Sequence, residues 1–428
     1  MFTSLINSNI NDSFKESIFN GLSPDGSLYF PKKINALKDI IFNITSLSNK
    51  EIGFLVMKDF VNDEIPERKL KSIINNTINF DFPLKNIDSN IFSFELFHGP
   101  TLAFKDVGAS FLANSLEYFT ENNILNILVA TSGDTGAAVA ESFHKKKNIN
   151  VIVLFPKGKI SSFQQKQIST KGDNIHAVEI DGSFDDCQTL VKKAFNDKDL
   201  RKNINISSAN SINVGRWLPQ IIYYFILYKE LKKNGVKGKI SISVPSGNFG
   251  NICAGFMAQK MGLNFDKLIS STNINDTIPR YLSSGVFSPN ETQRTISNAM
   301  DVSIPNNFPR IEKIFENNFK KLSNNLIGEK VNEIETKEEI KYTFEKSNYI
   351  LDPHGAVGLV GLKRNLGKNQ TGVFFETAHP IKFIDSINQI LNIKQDHFDV
   401  ETNFKNNEFI NSIDNNYPSL INFLKKIN

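Results

Sequence analysis

Disulfides are the first device this chain cannot rely on. It has two cysteines in 428 residues, Cys187 and Cys253, far apart and without CxxC spacing. A disulfide framework or a cysteine-ligated zinc site is therefore left without support, and a reducing compartment is the default. Charge of one sign is also lacking. The 49 basic residues meet 45 acidic ones for a net charge of +4, so no basic face for nucleic acid is implied. Long apolar runs are missing, since the longest, such as residues 221–228, are far too short to span a bilayer. The start of the chain mixes Asn, Ser, Phe and Ile without a cationic segment followed by an apolar one, unlike a secretory signal. A cytoplasmic protein that engages neither nucleic acid nor membrane is expected. No HExxH or GxSxG is present, and His98, His144, His176, His354 and His397 show no metal-ligand spacing. No metal is expected.

What is there is a soluble globular composition, 40% hydrophobic and 22% charged, at a length that suggests two or three domains. Phe14, Ile18, Phe19 and Leu22 mark a short helix, and Ser23-Pro24-Asp25-Gly26 then makes a turn. Residues 1–90 read as a small helical N-terminal unit with no visible chemistry of its own. Beyond Lys105 a strand–loop–helix rhythm begins. Short unalternating apolar runs at 124–130, 151–155, 177–180, 204–207 and 240–244 predict buried parallel strands. Helical patterns separate them at 137–146, 161–171, 184–195 and 214–233. In the last, Trp217, Ile221, Tyr224, Tyr228 and Leu231 form a stripe whose ordinary use is core packing rather than a cofactor wall. Residues 310–346 predict a polar helical segment, and 371–378 one more strand. The fold class implied is α/β, a twisted parallel sheet flanked by helices.

Candidate chemistry gathers in five places. In Phe97-His98-Gly99-Pro100-Thr101-Leu102-Ala103-Phe104-Lys105-Asp106, Lys105 has apolar neighbours on one side and small residues on the other. A lysine losing hydration becomes a neutral amine able to form a Schiff base. The plain alternative is a helix-start lysine paired with Asp106. Thr131-Ser132-Gly133-Asp134-Thr135-Gly136 follows a strand and opens a helix, so it is either a carboxylate site or a simple capped turn. Pro245-Ser246-Gly247-Asn248-Phe249-Gly250-Asn251 is a glycine-rich loop before a helix. It fits a phosphate monoester better than a nucleotide, because neither GxxxxGK[ST] nor GxGxxG is complete. Lys157, Lys159, Ser161 and Ser162, with Arg216 further on, suit a second dianion, although Lys157 alone reads as a solvated surface residue. Glu376-Thr377-Ala378-His379-Pro380 closes the last strand, with Thr377 a hydroxyl for a ring nitrogen and His379 structural.

Taken in order, these segments resemble the threonine synthase family of fold-type-II pyridoxal-phosphate enzymes. The resemblance runs over nearly the whole chain, from Gly-Leu-Ser-Pro-Asp-Gly-Ser-Leu-Tyr-Phe-Pro at 21–31, through Ser-Ala-Asn-Ser-Ile-Asn at 208–213 and Asn-Ala-Met-Asp-Val-Ser at 298–303, to Thr-Ala-His-Pro at 377–380. It implies the long type of the family, with an extra N-terminal domain and two open twisted parallel sheets. The domains implied are 1–90, a discontinuous cofactor domain of 91–120 and 216–428, and a smaller substrate-side domain of 121–215.

The cofactor implied is pyridoxal 5'-phosphate on Lys105, its phosphate held by Gly247, Asn248, Phe249, Gly250 and Asn251, and its ring nitrogen facing Thr377. Asp134 would lie near the ring hydroxyl. Ser132 and Thr135 would grip the substrate carboxylate, and Lys159, Ser161, Asn213 and Arg216 the substrate phosphate. The implied reaction turns O-phospho-L-homoserine and water into L-threonine and phosphate, in a monomer or homodimer. The alternatives are a dehydratase or cysteine-synthase-like relative, or a non-catalytic binding protein on the same fold.

Overall fold

A strand buried on both faces is largely apolar, and the segment Leu125–Ala130 is buried at all six positions, Asn126 included. The protein is described from a computed structural model covering residues 1–120, 123–393, 398 and 407–427; His397 lies outside the described residues. The strands are β1 (Phe2–Ser4), β2 (Tyr29–Pro31), β3 (Leu84–Asp88), β4 (Ile91–Glu95), β5 (Leu125–Ala130), β6 (Ile149–Pro156), β7 (Ile175–Ile180), β8 (Asn205–Ser208), β9 (Ile240–Pro245), β10 (Lys267–Thr272), β11 (Leu326–Lys330), β12 (Thr371–Glu376) and β13 (Ile410–Ile413). The larger sheet has the order β11-β10-β9-β12-β4-β3 and is parallel except where β3 runs antiparallel to β4. The smaller sheet, β13-β7-β6-β5-β8, is parallel throughout. Helices alternate with the strands, giving the α/β class with two open sheets.

The expected divisions of the chain are corrected in two places. Residues 1–90 are not only helical: β1 and β2 form an antiparallel ribbon, and β3 is the edge of the larger sheet. Residues 410–427, expected with the cofactor domain, belong to the smaller sheet. There β13 pairs with the otherwise open edge of β7, and the helix Tyr417–Ile427 buries Leu420 and Leu424 among Val178, Leu190 and Ile206. The polar segment 310–346 likewise contains β11 between its helices.

Helices begin where the side chains can satisfy free N–H groups. Ser13, Ser48, Ser183 and Asn332 each make a reciprocal capping box with the residue three positions on. The expected helix at 214–233 is broken into Val214–Trp217, a 3-10 turn at Leu218–Gln220, and Ile221–Lys233. Pro219, in that turn, has no N–H to continue an α-helical ladder. The helix Ile221–Lys233 lies in the main core and links two distant loops. The Tyr223 hydroxyl donates to the Phe104 carbonyl, beside Lys105. That of Tyr224 donates to Asn251 O and Oδ1, both at 3.0 Å.

Candidate active site

Lys105 is the first residue of the helix Lys105–Phe119. The turn before it is laced to the end of β12: Phe104 N–H donates to Thr377 O and His379 N–H to Leu102 O, each at 2.9 Å. This brings Lys105 and Thr377 to the wall of one cavity of about 600 Å³. The cavity takes in Lys105, Ser132, Thr135, Arg216, Thr377 and the whole Gly247-Asn248-Phe249-Gly250-Asn251 loop. These are contributions from both sheets, meeting beyond the carboxyl ends of β5, β9 and β12.

The Lys105 side chain is 14% exposed, and burial pulls its amine below the usual lysine range. Asp106 is not its partner. Thr101 N–H donates to Asp106 Oδ2 at 2.9 Å and the Thr101 hydroxyl to Oδ1, while burial pushes this carboxyl up to about 6. The carboxylate near Lys105 is Asp134, whose Oδ2 is 3.8 Å from Nζ. Burial alone would raise Asp134, but Lys382 and Lys105 outweigh it and hold the group well below the carboxylate range.

The loop that carries Asp134 is tightly wound. Thr131 Oγ1 accepts from Gly133 N–H at 2.9 Å and Gly136 N–H at 2.8 Å. Gly133 has a φ of +134°, a conformation closed to side chains. Ser132 and Thr135 line the cavity, whereas the Asp134 side chain accepts from Gln164 Nε2 at 2.9 Å, outside the lining.

The 247–251 loop has the features of an anion cradle. Phe249 sits in the left-handed region at φ 59° and starts the helix Gly250–Lys260, whose free N–H groups favour an anion. A Cβ on Gly247 would come within 2.6 Å of the Ala299 carbonyl, so only glycine fits. Asn251 Nδ2 is buried without a protein hydrogen-bond partner. An orphaned donor at a helix start that lines the cavity fits a cofactor phosphate.

Arg216 is 4% exposed. Its Nη1 donates to Ala209 O, its Nε has no protein partner, and burial brings the guanidinium down to about 10. It is the member of the expected phosphate set that reaches the cavity. Lys159 is exposed and outside the lining. Ser161 caps the helix Ser162–Ser169 in a box with Gln164. Asn213 caps Val214–Trp217 and donates to Ile18 O at 2.8 Å and Ser208 O at 2.9 Å. All hydrogen-bonding capacity seen for these two side chains serves the backbone. Lys157 pairs on the surface with Glu179 at 3.4 Å. His379 accepts from Ile381 N–H at 3.2 Å and packs edge-on against Phe97, a structural position.

Sequence reasoning missed other parts of the wall. Leu22, Ser27 and Leu28 bring the N-terminal unit to the cavity, and Gln188 and Lys192 reach it from the helix Phe184–Asn196. His354 also lines it; Nδ1 donates to Asp352 Oδ1 at 2.6 Å, and Nε2 accepts from Ala299 N–H at 3.2 Å. The signal for Asn210 and Ser211 was present in the Ser-Ala-Asn-Ser-Ile-Asn segment; for His354 it was not, since its spacing only becomes meaningful once Ala299 is beside it. Among the described residues no cluster could hold a metal ion, and no helix is long and apolar enough to cross a membrane.

Comparison with known proteins agrees with this geometry. Residues 82–376 match the model of the pyridoxal-phosphate dependent enzyme family, and residues 1–78 that of the threonine synthase N terminus. Threonine synthase from Haemophilus influenzae is 44% identical over 382 residues, covering 89% of each chain. The Escherichia coli enzyme is 41% identical over 385 residues, covering 89% of this chain and 88% of the other. The crystal structure of Escherichia coli threonine synthase superposes with a TM-score of 0.93 at 37% identity, covering both chains fully. A pyridoxal-phosphate-bound threonine synthase from Brucella melitensis gives 0.90 at 31%, covering 99% of this chain and 98% of that one. This chain is thus a pyridoxal-phosphate-dependent lyase that belongs to the threonine synthase family.

Proposed function

We propose that the chain converts O-phospho-L-homoserine and water into L-threonine and inorganic phosphate, the last step of threonine biosynthesis. One observation carries this reading: a buried amine, Lys105, shares a cavity with two features suited to anions, the 247–251 helix start and the buried guanidinium of Arg216. An enzyme acting on unphosphorylated or acetylated substrates has no need of the second.

Bound pyridoxal phosphate supplies an electron sink next to the substrate α carbon. The Gly247–Asn251 backbone and the Asn251 amide would hold its phosphate, and Thr377 would offer a neutral hydroxyl to its ring nitrogen. Ser132 and Thr135 orient the substrate carboxylate. Lys105 Nζ, free once the substrate amine has taken its place, would move protons one at a time: the proton from Cα is passed on within the site before one is taken from Cβ, and the Cβ proton ends on Cγ in place of the departed phosphate. Arg216 grips the γ-phosphate and stabilises the charge it gains on leaving. Water then gives its hydroxyl to Cβ and its remaining proton to the released phosphate, and Lys105 returns the proton to Cα.

The test is a product assay with cofactor-loaded protein and O-phospho-L-homoserine, following phosphate and threonine together. Equal release supports the reading. Phosphate with 2-oxobutyrate means elimination alone, and absence of both products overturns it. Two free, buried cysteines support a cytoplasmic setting, where the enzyme would act as a monomer or homodimer.

A further inference from the structure

Asp134 stands between two lysines, and they are not equivalent. Lys382, on the turn Pro380–Phe383, has a side chain with no exposed surface. Its Nζ donates to Thr101 O at 2.7 Å and Gln167 Oε1 at 2.9 Å, and meets Asp134 Oδ1 at 3.1 Å. Two hydrogen bonds and a close ion pair thus hold the Lys382 ammonium group on three oxygens. Lys105 reaches only the other oxygen, Oδ2, at 3.8 Å, beyond hydrogen-bond length.

Three cations, Lys105, Lys382 and Arg216, thus share a buried place with two carboxylates, Asp134 and Asp106, and an amine with little direct support there is the one that gives up its proton. The groups facing Lys105 are Asp134, Lys382 and Arg216, with the Phe104 ring 5.8 Å from Nζ. Burial lowers the Lys105 amine first; Lys382 and Arg216 lower it further, and Asp134 opposes them.

We propose that Lys382 is a positioning residue: it occupies the Asp134 carboxylate so that Lys105 is left as the free amine that captures the cofactor. Lys382 also joins the two sheets at this point, since Gln167 and Asp134 follow strands of the smaller one while Thr101 and Lys382 flank strands of the larger. Without it, Asp134 turns to Lys105 and holds that amine protonated.

The inference rests on Lys105 being the cofactor lysine, and the experiment separates the two. Full-length protein freed of cofactor is mixed with pyridoxal phosphate, and growth of the visible band of lysine-bound cofactor is timed across pH. In Lys382→Met and Lys382→Gln the rate at neutral pH falls about tenfold or more, and the midpoint of the rate profile rises by about one pH unit. Lys382→Arg recovers most of the wild-type rate. The glutamine variant keeps a donor for Thr101 O, so it decides the matter if the methionine variant does not fold. A Lys382→Gln protein with native circular dichroism and the wild-type rate and midpoint overturns the proposal. Lys105→Ala forms no band; a band there overturns the assignment of Lys105 instead.

Discussion

The Arg310 guanidinium lies over Trp217, 4.4 Å from the ring centre, with both side chains fully buried. Its nitrogens donate to Tyr29 O at 3.0 Å, Ser211 O at 3.1 Å and Ile212 O at 2.6 Å, and to Asn307. One planar cation thus ties the N-terminal ribbon to the loop that forms part of the cavity wall. Lysine cannot copy a stacked fork of donors. Arg310→Lys is expected to lower unfolding stability by about 2–4 kcal/mol, measured by urea denaturation.

Arg216→Ala removes a charged donor from the site proposed for the substrate phosphate. Charge-assisted hydrogen bonds contribute about 1.5–3 kcal/mol, so KM for O-phospho-L-homoserine is expected to rise on the order of tenfold to a hundredfold. Steady-state kinetics with cofactor saturating check this, and an unchanged KM removes Arg216 from that role.

Gly247→Ala would force a methyl group against backbone, 2.6 Å from Ala299 O and 2.9 Å from Met300 Cα. Neither contact is a flexible side-chain tip that can swing aside. The loop must open, and the dissociation constant for pyridoxal phosphate is expected to rise at least about tenfold, a cost of about 1.4 kcal/mol. Fluorescence titration reads this directly, and unchanged affinity with a native thermal transition would falsify the cradle.

Asp106 gives a pH signature with a definite sign. Its carboxyl is raised to about 6 in the folded chain against about 3.9 unfolded. Between these values the native state holds a proton that the unfolded state has lost, so this contribution to stability is full below about pH 4 and gone above about pH 6. The unfolding free energy of the wild type, relative to Asp106→Asn, should therefore fall by on the order of 2 kcal/mol from pH 4 to 7. A flat difference would mean that Thr101 fully compensates the burial.

The central strands were legible because parallel strands covered on both faces read as continuous apolar runs, and β5, β6 and β9 lie within a few residues of the expected places. The strands that escaped are short or at edges. β1 and β2 have three residues each, β3 has no fully buried residue, and β13 has only its pairing with β7 to define it. At the site, the glycine-rich loop, the Ser132–Thr135 turn, Lys105 and Thr377 were readable as local motifs. The capping role of Ser161 was also legible, since Ser161-Ser162-Phe163-Gln164 spells a capping box. Lys382 gives no local sign, because its partners Thr101, Gln167 and Asp134 become neighbours only when both sheets are in place.

The pairing of β13 with β7 has a consequence during synthesis. Asn411, whose side chain donates to Ala177 O, is 234 residues further along the chain. The β7 edge therefore leaves the ribosome long before the strand that covers it, and for that interval it is an open template for foreign strands. A chaperone that shields this edge would raise the yield of folded enzyme without touching any residue of the cavity.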